Sequence, residues 1–456
     1  MPQKEEETVY VTGVNLSNIR GFTRQRAVKL EFPAGGCWIV LAGRNGSGKT
    51  TLLRALALSL AGPSVARTLV PDFGEWLTAP AQPRRRGSVE TLIMRDEVAD
   101  TLVGRGRAPV GAWELGLAWT QPTAPEEERP QKLRPTLEAV QGQSAERGPW
   151  AENPRGWFCA GYGPFRRLLG GSGEAQRLML APGPVGRMVT LFHEDASLAE
   201  GVSWILDLHL RSLENRSGAG PLLKTVLAVL SDGLLPDRYV VERVDSDGLW
   251  VKRRGLKTTY PLQEMSDGYR TVAALVLDLI RQIQAVYGRV QTRQLDEGGI
   301  AVTAPGVVLI DEVETHLHVT WQREIGGWMR QHFPNIQFIV TTHSPYVCQS
   351  ADPGGLIRLS GPDERRPPTV VDEDLYRRVV YGSGDDAAVS ELFGLETPYS
   401  DRAQDKRRRL VALERKVFAD EATTDEAAEY TRLSDLLVSS LEARVTEVAA
   451  RLGGGR

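Results

Sequence analysis

One stretch constrains this chain more than any other: Cys37-Trp38-Ile39-Val40-Leu41-Ala42-Gly43-Arg44-Asn45-Gly46-Ser47-Gly48-Lys49-Thr50-Thr51, an apolar strand, a glycine-rich turn and a helix opening at Lys49. Gly43 to Thr50 fill every fixed position of G-x-x-x-x-G-K-[ST], in the strand-before, helix-after setting that a phosphate-binding loop requires. The three glycines let the backbone take left-handed angles and bring successive N–H groups, from Gly43 through Thr51, close to phosphate oxygens. The helix N-terminus adds a partial positive charge. In this reading Lys49 reaches the β and γ phosphates, and the Thr50 hydroxyl sits on Mg²⁺. The plain alternative is a strand-to-helix turn that happens to be rich in glycine. All four fixed positions and both flanks favour the nucleotide site.

With 456 residues the chain exceeds one ordinary core, so a main domain with insertions or a second domain is expected. The formal net charge of −3 excludes a chain that is basic throughout. Nucleic-acid binding would need a local patch, such as Arg84-Arg85-Arg86 or Lys406-Arg407-Arg408-Arg409, and such runs are more often solvated faces. Cys37, Cys159 and Cys348 lie far apart without C-x-x-C spacing, which suggests a reducing compartment and argues against a zinc site. The N-terminus lacks an apolar h-region, and no run of 18 apolar residues occurs. The expectation is a cytoplasmic protein without a membrane span.

Val9–Leu16 and Ala27–Phe32 read as a strand pair joined through Asn18-Ile19-Arg20-Gly21-Phe22. The helix after the loop carries Leu52, Leu53, Leu56 and Leu60 and is expected to stop at Gly62-Pro63. Loop insertions are expected over 62–88 and 121–155, with half-buried strands at Val89–Met94 and Trp113–Trp119 between them and another strand at Trp157–Ala160. Residues 187–260 read as a helical lobe closed by a hairpin that turns at Asp245–Gly248. Gly306–Ile310 is a short, fully apolar strand suited to the centre of a parallel sheet, and Gln337–Thr341 and Leu356–Leu359 repeat its character. The chain then turns helical and charged, with a capping box at Thr423-x-x-Glu426 and an apolar face of Leu433, Leu436, Leu437 and Leu441.

Ile310-Asp311-Glu312 ends the apolar strand with two acids, as a Walker B element does. Asp311 is placed to hold the Mg²⁺ shell and Glu312 to polarise an attacking water. His343, in Thr341-Thr342-His343-Ser344-Pro345, ends the next apolar strand, where an imidazole can donate to a γ-phosphate; alone, it would read as an ordinary loop histidine. His316 and His318 lack metal-ligand spacing and are not expected to bind metal. Ser266 and Gly268, in Met265-Ser266-Asp267-Gly268-Tyr269-Arg270, open the strongest helix. They are either simple caps or an anion site.

Taken in order, Gly43–Thr50, Ser266-x-Gly268, Asp311-Glu312, Glu314-x-His316-Leu317-His318 and Thr342-His343-Ser344-Pro345 resemble the ABC-type ATPases of the SMC and RecF branch. Asn18-Ile19-Arg20-Gly21-Phe22 and Gly161–Arg166 also resemble the soluble bacterial group with an E-x-H-L-H segment, and the layout is similar to ATPases of Septu-type anti-phage systems. The resemblance implies an α/β P-loop ATPase head over 1–360, with an antiparallel β lobe, the helical lobe and a C-terminal helical extension over 361–456. It implies no long coiled coil, since sustained heptads are missing. It further implies ATP and Mg²⁺ as cofactors and a homodimer or higher oligomer with ATP at the interface. Ser266 and Gly268 of one copy would cap the γ-phosphate held by Lys49 of the other, with Glu312 as base and His343 as switch. Met265 and Asp267 depart from the usual Leu and Gly of that signature, and Val319 from a frequent Pro. No glutamine clearly fills the loop between the Lys49 and Ser266 elements: Gln82 fits poorly, and Gly161–Arg166 is the better position.

The function this implies is an ATP-dependent dimeric switch, associated with double-stranded DNA, that controls a separate nuclease subunit in anti-phage defence. No histidine follows His343, so the C-terminal part holds no HNH site. Asp372-Glu373-Asp374 reads as a helix start. A repair or recombination ATPase uses the same parts and stays open. A transporter motor subunit fits less well, given the charged helical tail.

Overall fold

The computed structural model describes residues 10–77, 86–95, 97–105, 112–120, 135–141, 145–167, 172–181, 183–296 and 298–437. The chain divides into two compact units, Met1–Gly394 and Leu395–Arg456. The first therefore runs past the boundary expected at residue 360. The reason is that Thr369–Val370 pairs with Leu356–Arg358, and Tyr376 and Val379 are buried beyond it.

The first unit is built on a six-stranded sheet in the order Thr369–Val370, Leu356–Arg358, Trp38–Ala42, Ile336–Thr342, Gly306–Ile310, Cys159–Tyr162. All neighbours are parallel except the edge pair Leu356–Arg358 with Thr369–Val370. Every residue of Trp38–Ala42, Gly306–Ile310 and Ile336–Thr342 is buried, as a parallel sheet covered on both faces demands. The strand carrying the glycine-rich loop thus lies inside the sheet, beside the strand that ends at Thr342.

A five-stranded antiparallel sheet has the order Val28–Glu31, Tyr10–Ser17, Arg86–Met94, Trp113–Thr120, Thr136–Gln141. Arg86–Met94 alternates buried and accessible residues, the period-two pattern of a half-buried strand. Gln337 joins the two sheets: its Oε1 accepts from Val11 N at 2.8 Å, and its Nε2 donates to Val11 O at 2.9 Å and Pro33 O at 3.2 Å. A side-chain amide here substitutes for a peptide group of a neighbouring strand.

The helix Lys49–Leu69 packs on both sheets. The helix breaks at Gly62-Pro63, where the stop was expected, and a second helical run follows directly. Gly62 takes φ +87°, and a Cβ there would lie 2.6 Å from the Trp150 ring. The chain kinks at Gly62 and resumes helix with Pro63 in the new first turn, where its missing N–H is harmless. The expected insertion 62–88 is helical at its start and enters the strand Arg86–Met94 at its end. The expected insertion 121–155 includes the strand Thr136–Gln141 and a 3₁₀ turn at Ala145–Arg147.

Residues 184–261 supply helices Pro184–Phe192, Ala199–Leu213 and Ala219–Ser231 and a three-stranded sheet of Tyr239–Asp245, Gly248–Arg253 and Thr259–Pro261. The helix Asp267–Tyr287 follows and stops at Gly288, at φ +70°. It is pinned to the central sheet by Tyr162, whose hydroxyl donates to Asp278 at 3.0 Å. Arg281 pairs with the same buried carboxylate at 2.6 Å. Burial, with the Asp278 charge, drives the Tyr162 hydroxyl well above its usual pKa, so it stays a donor.

The second unit contains helices Asp401–Phe418 and Thr424–Leu436. The Thr423/Glu426 capping box is present. Of the expected apolar face, Leu433 and Leu437 are half-buried, Leu436 is 60% exposed, and Leu441 lies outside the described residues. Much of the basic run is occupied locally, with Arg409 on Glu429 at 2.6 Å and Arg407 over the Tyr399 ring at 3.7 Å. Gln82, Arg84 and Arg85 also lie outside the described residues. Among the described residues no helix is long and apolar enough to cross a membrane.

Candidate active site

The glycine-rich loop sits at the end of Trp38–Ala42, with Gly48 as the N-cap of the helix at φ +99°. A Cβ on Gly48 would come within 2.6 Å of Phe22, so both the angle and the space require glycine. Arg44, Asn45 and Gly46 are exposed, whereas Ser47 is buried and its Oγ has no hydrogen-bond partner among the described residues. Arg26 braces the loop from behind, donating to Ser47 O at 3.2 Å and Ser360 O at 2.9 Å.

Lys49 is buried, and its Nζ donates to Gly43 O at 2.7 Å and Arg44 O at 3.2 Å. Burial lowers its pKa to about 8, against the pull of Glu314, Asp311 and Glu312, which favour the charged form. The loop lysine and the acids after Gly306–Ile310 therefore share one site. Thr50 Oγ1 donates to Asp311 Oδ1 at 3.1 Å, and Thr341 Oγ1 donates to the same oxygen at 2.5 Å. Thr341 Oγ1 also accepts the Glu312 N–H at 2.8 Å. These are hard oxygen donors on one carboxylate and one adjacent hydroxyl, the set that suits Mg²⁺ beside a phosphate.

Glu312 adopts φ +45° and His316 φ +67°, unusual for residues with side chains. The turn between them is held by Thr315 N–H to Glu312 O at 3.0 Å and Leu317 N–H to Glu314 O at 2.8 Å. Behind the turn lies Arg166, buried, its pKa lowered to about 10 first by burial and offset by Glu314, Asp311 and Glu312. Glu314 accepts from Thr342 Oγ1 at 2.7 Å and from the His343 N–H at 2.5 Å, and so fixes the start of the 343–345 turn. The His343 pKa is lowered by burial first and then by Lys49, against Glu314, Glu312 and Asp311. At neutral pH its imidazole is uncharged and has a single N–H to give.

The structure thus gathers Gly43–Thr50, Asp311, Glu312 and His343 at neighbouring strand ends. Ser266 is exposed at the N-cap of Asp267–Tyr287, and its side chain makes no capping bond. Gly268 lies against the turn after the acids, where a Cβ would be 2.7 Å from His316 O. His318 caps the helix Val319–His332 through Nδ1 and the Thr320 N–H. Among the described residues no cluster of metal-ligating side chains includes His316 or His318. Sequence reasoning assigned no role to Thr341, Glu314 or Arg166. All three stand inside stretches it had marked, Thr341 and Glu314 beside His343 and Asp311 and Arg166 at the end of Gly161–Arg166, and that placement was the available signal.

A family model described as “AAA domain, putative AbiEii toxin, Type IV TA system” matches residues 183–349, and an AAA domain model matches residues 14–86. The chain is 25% identical over 358 residues to the Septu protein PtuA of Bacillus mycoides, a match that covers 76% of this chain and 40% of that protein. It is 40% identical over 89 residues to the Retron Ec83 probable ATPase of Escherichia coli, covering 20% of this chain and 15% of that protein. These relatives are matched over less than half of their own length. A solved structure of an SMC head bound to the C-terminal winged-helix domain of ScpA aligns over 79% of this chain and 97% of its own, at 16% identity and a TM-score of 0.45. The glycine-rich loop and the two acids fall within the two segments that the AAA domain models match, and over most of its length the chain is similar to the Septu protein PtuA.

Proposed function

We propose that the chain binds ATP with Mg²⁺ in the Gly43–Thr51 cradle, and that two copies close on two ATP molecules to form a switch that controls a separate nuclease in anti-phage defence. The observation that carries this reading is the single oxygen of Asp311 that receives both Thr50 and Thr341, because it ties the loop helix, the acidic strand and the next strand to one point. Lys49 leaves the Gly43 and Arg44 carbonyls for the β and γ phosphates, and backbone N–H groups of residues 44–51 surround them. Thr50 and Asp311 hold Mg²⁺, which neutralises charge on the phosphate oxygens. Glu312 accepts a proton from water as the water oxygen attacks the γ-phosphorus; the bond to the β–γ bridging oxygen breaks and ADP leaves. His343 donates a ring N–H to a γ-phosphate oxygen.

Ser266 and Gly268 complete the site of the opposite copy. The exposed Ser266 hydroxyl at a helix start, uncommitted to its own helix, supports that role. A sandwiched ATP makes dimerisation depend on nucleotide, and hydrolysis then opens the pair. The similarity to the Septu and retron proteins supports the defence role and, with it, a partner nuclease, and double-stranded DNA is a proposed partner.

Glu312→Gln tests the reading. It is expected to bind ATP as the parent does, to turn over at least 100-fold more slowly, and to sediment as a dimer with ATP present. A variant that stays monomeric with ATP bound contradicts the sandwich. Unchanged turnover contradicts the role of Glu312.

A further inference from the structure

Arg166 is 2% exposed, and among the described residues no ion pair joins it to a carboxylate. Its guanidinium is spent on backbone instead. Nη1 donates to Gly163 O at 2.8 Å and Asp311 O at 3.0 Å, and Nη2 donates to Glu312 O at 3.2 Å and Val313 O at 3.2 Å. Three successive carbonyls can face one planar group only if the chain curls at the middle residue, and that residue, Glu312, has the left-handed angle of φ +45°. Such an angle is costly for a side-chain-bearing residue and persists only where surroundings enforce it. Packing alone does not call for a buried cation, since an apolar side chain of that volume would avoid the desolvation. The front of the same turn is held by Thr341, through the Glu312 N–H at 2.8 Å.

From this geometry we infer that Arg166 is a positioning residue for hydrolysis: it clamps the carbonyls of Asp311, Glu312 and Val313 and so sets the direction from which the Glu312 carboxylate meets the attacking water. The inference rests on Glu312 being the base. Lysine cannot replace it, because an ammonium lacks the flat fork that spans three acceptors. The clamp works through the backbone that carries Glu312, so its loss lowers kcat and spares ATP binding.

The experiment compares Arg166→Met, Arg166→Lys, Glu312→Gln and the Arg166→Met/Glu312→Gln double variant of the full chain. Fluorescent-nucleotide binding and single-turnover hydrolysis of ATP with Mg²⁺ are the readouts. Arg166→Met is expected to keep ATP affinity within about threefold while turnover falls at least 30-fold, and the double variant to be no slower than Glu312→Gln, since both changes act through one carboxylate. Should Arg166→Met not fold, Arg166→Lys decides. A loss of about tenfold in turnover at unchanged affinity supports the clamp, and parental turnover overturns it. A double variant slower than Glu312→Gln by the full Arg166→Met factor also overturns it, as does ATP affinity that falls in step with turnover. If Glu312→Gln itself hydrolyses normally, the assignment of the base has failed. If only the Arg166 variants are normal, the base stands and the clamp has failed.

Discussion

Thr341 and Asp311 are joined by a hydrogen bond of 2.5 Å, Oγ1 to Oδ1, at the ends of adjacent parallel strands. Because the same hydroxyl accepts the Glu312 N–H, its removal leaves a buried carboxylate and a backbone donor short of a partner. Thr341→Val, nearly isosteric, is expected to lower stability by about 1–3 kcal/mol and turnover by about tenfold or more. Thr341→Ser should recover most of both. Thermal melts and steady-state hydrolysis measure the two effects.

Lys49 makes nucleotide binding depend on pH. With its pKa lowered to about 8, the ammonium of the free protein loses its proton as pH rises through that value. The phosphates require the charged form, so ATP binding near pH 8.5–9 is expected to take up a proton, and affinity to weaken by up to about tenfold per pH unit above 8. The effect on stability has the opposite sense. Between pH 8 and 10.5 the unfolded chain holds a proton at Lys49 that the folded chain has released, so this group's contribution to stability rises with pH across that window. Calorimetric titration in buffers of different ionisation enthalpy counts the proton; equal heats in all buffers at pH 8.5 would contradict the expectation.

Gln337→Leu removes three hydrogen bonds and strands the Val11 N–H and C=O inside the molecule. A loss of about 2–4 kcal/mol is expected, since unsatisfied buried backbone groups cost more than the net value of the bonds. ATP affinity should change little, because no group of the nucleotide cradle contacts this side chain. Denaturant titration alongside a binding assay separates the two.

Gly268→Ala would put a methyl 2.7 Å from His316 O. The backbone must then shift at the start of Asp267–Tyr287, where the proposed signature lies. A single copy should bind ATP within about threefold of the parent, whereas ATP-dependent dimerisation should weaken at least tenfold in sedimentation. A normal dimer would show that the helix start tolerates the shift.

What was legible in the sequence was local. The Gly43–Thr50 loop, the acids after Gly306–Ile310 and the apolar strands of the central sheet each announce themselves within a dozen residues, because their chemistry needs a fixed spacing. What was not legible depends on distant partners. Arg166 meets Asp311 and Glu312 across 145 and 146 positions, and Gln337 meets Val11 across 326, distances over which single-sequence periodicity carries no information. Gly62-Pro63 was legible as the end of the first helical run, but the second run that follows at once, with Trp150 from far along the chain filling the kink, was not. The boundary after Gly394 was hidden because the residues past 360 return to the sheet edge through the two-residue strand Thr369–Val370.

The strand order has a further consequence, for biogenesis. Trp38–Ala42 is flanked by Ile336–Thr342 and Leu356–Arg358, so neither neighbour exists when it leaves the ribosome. At ordinary elongation speeds this five-residue, fully apolar segment waits roughly 15–60 s for a strand to pair with. Such a segment is an aggregation hazard while it waits. The nucleotide cradle at its end is assembled among the last parts of the first unit, so truncated or stalled chains lack ATP binding. The yield of active protein should therefore respond to chaperone supply during synthesis more strongly than to the stability of the finished fold.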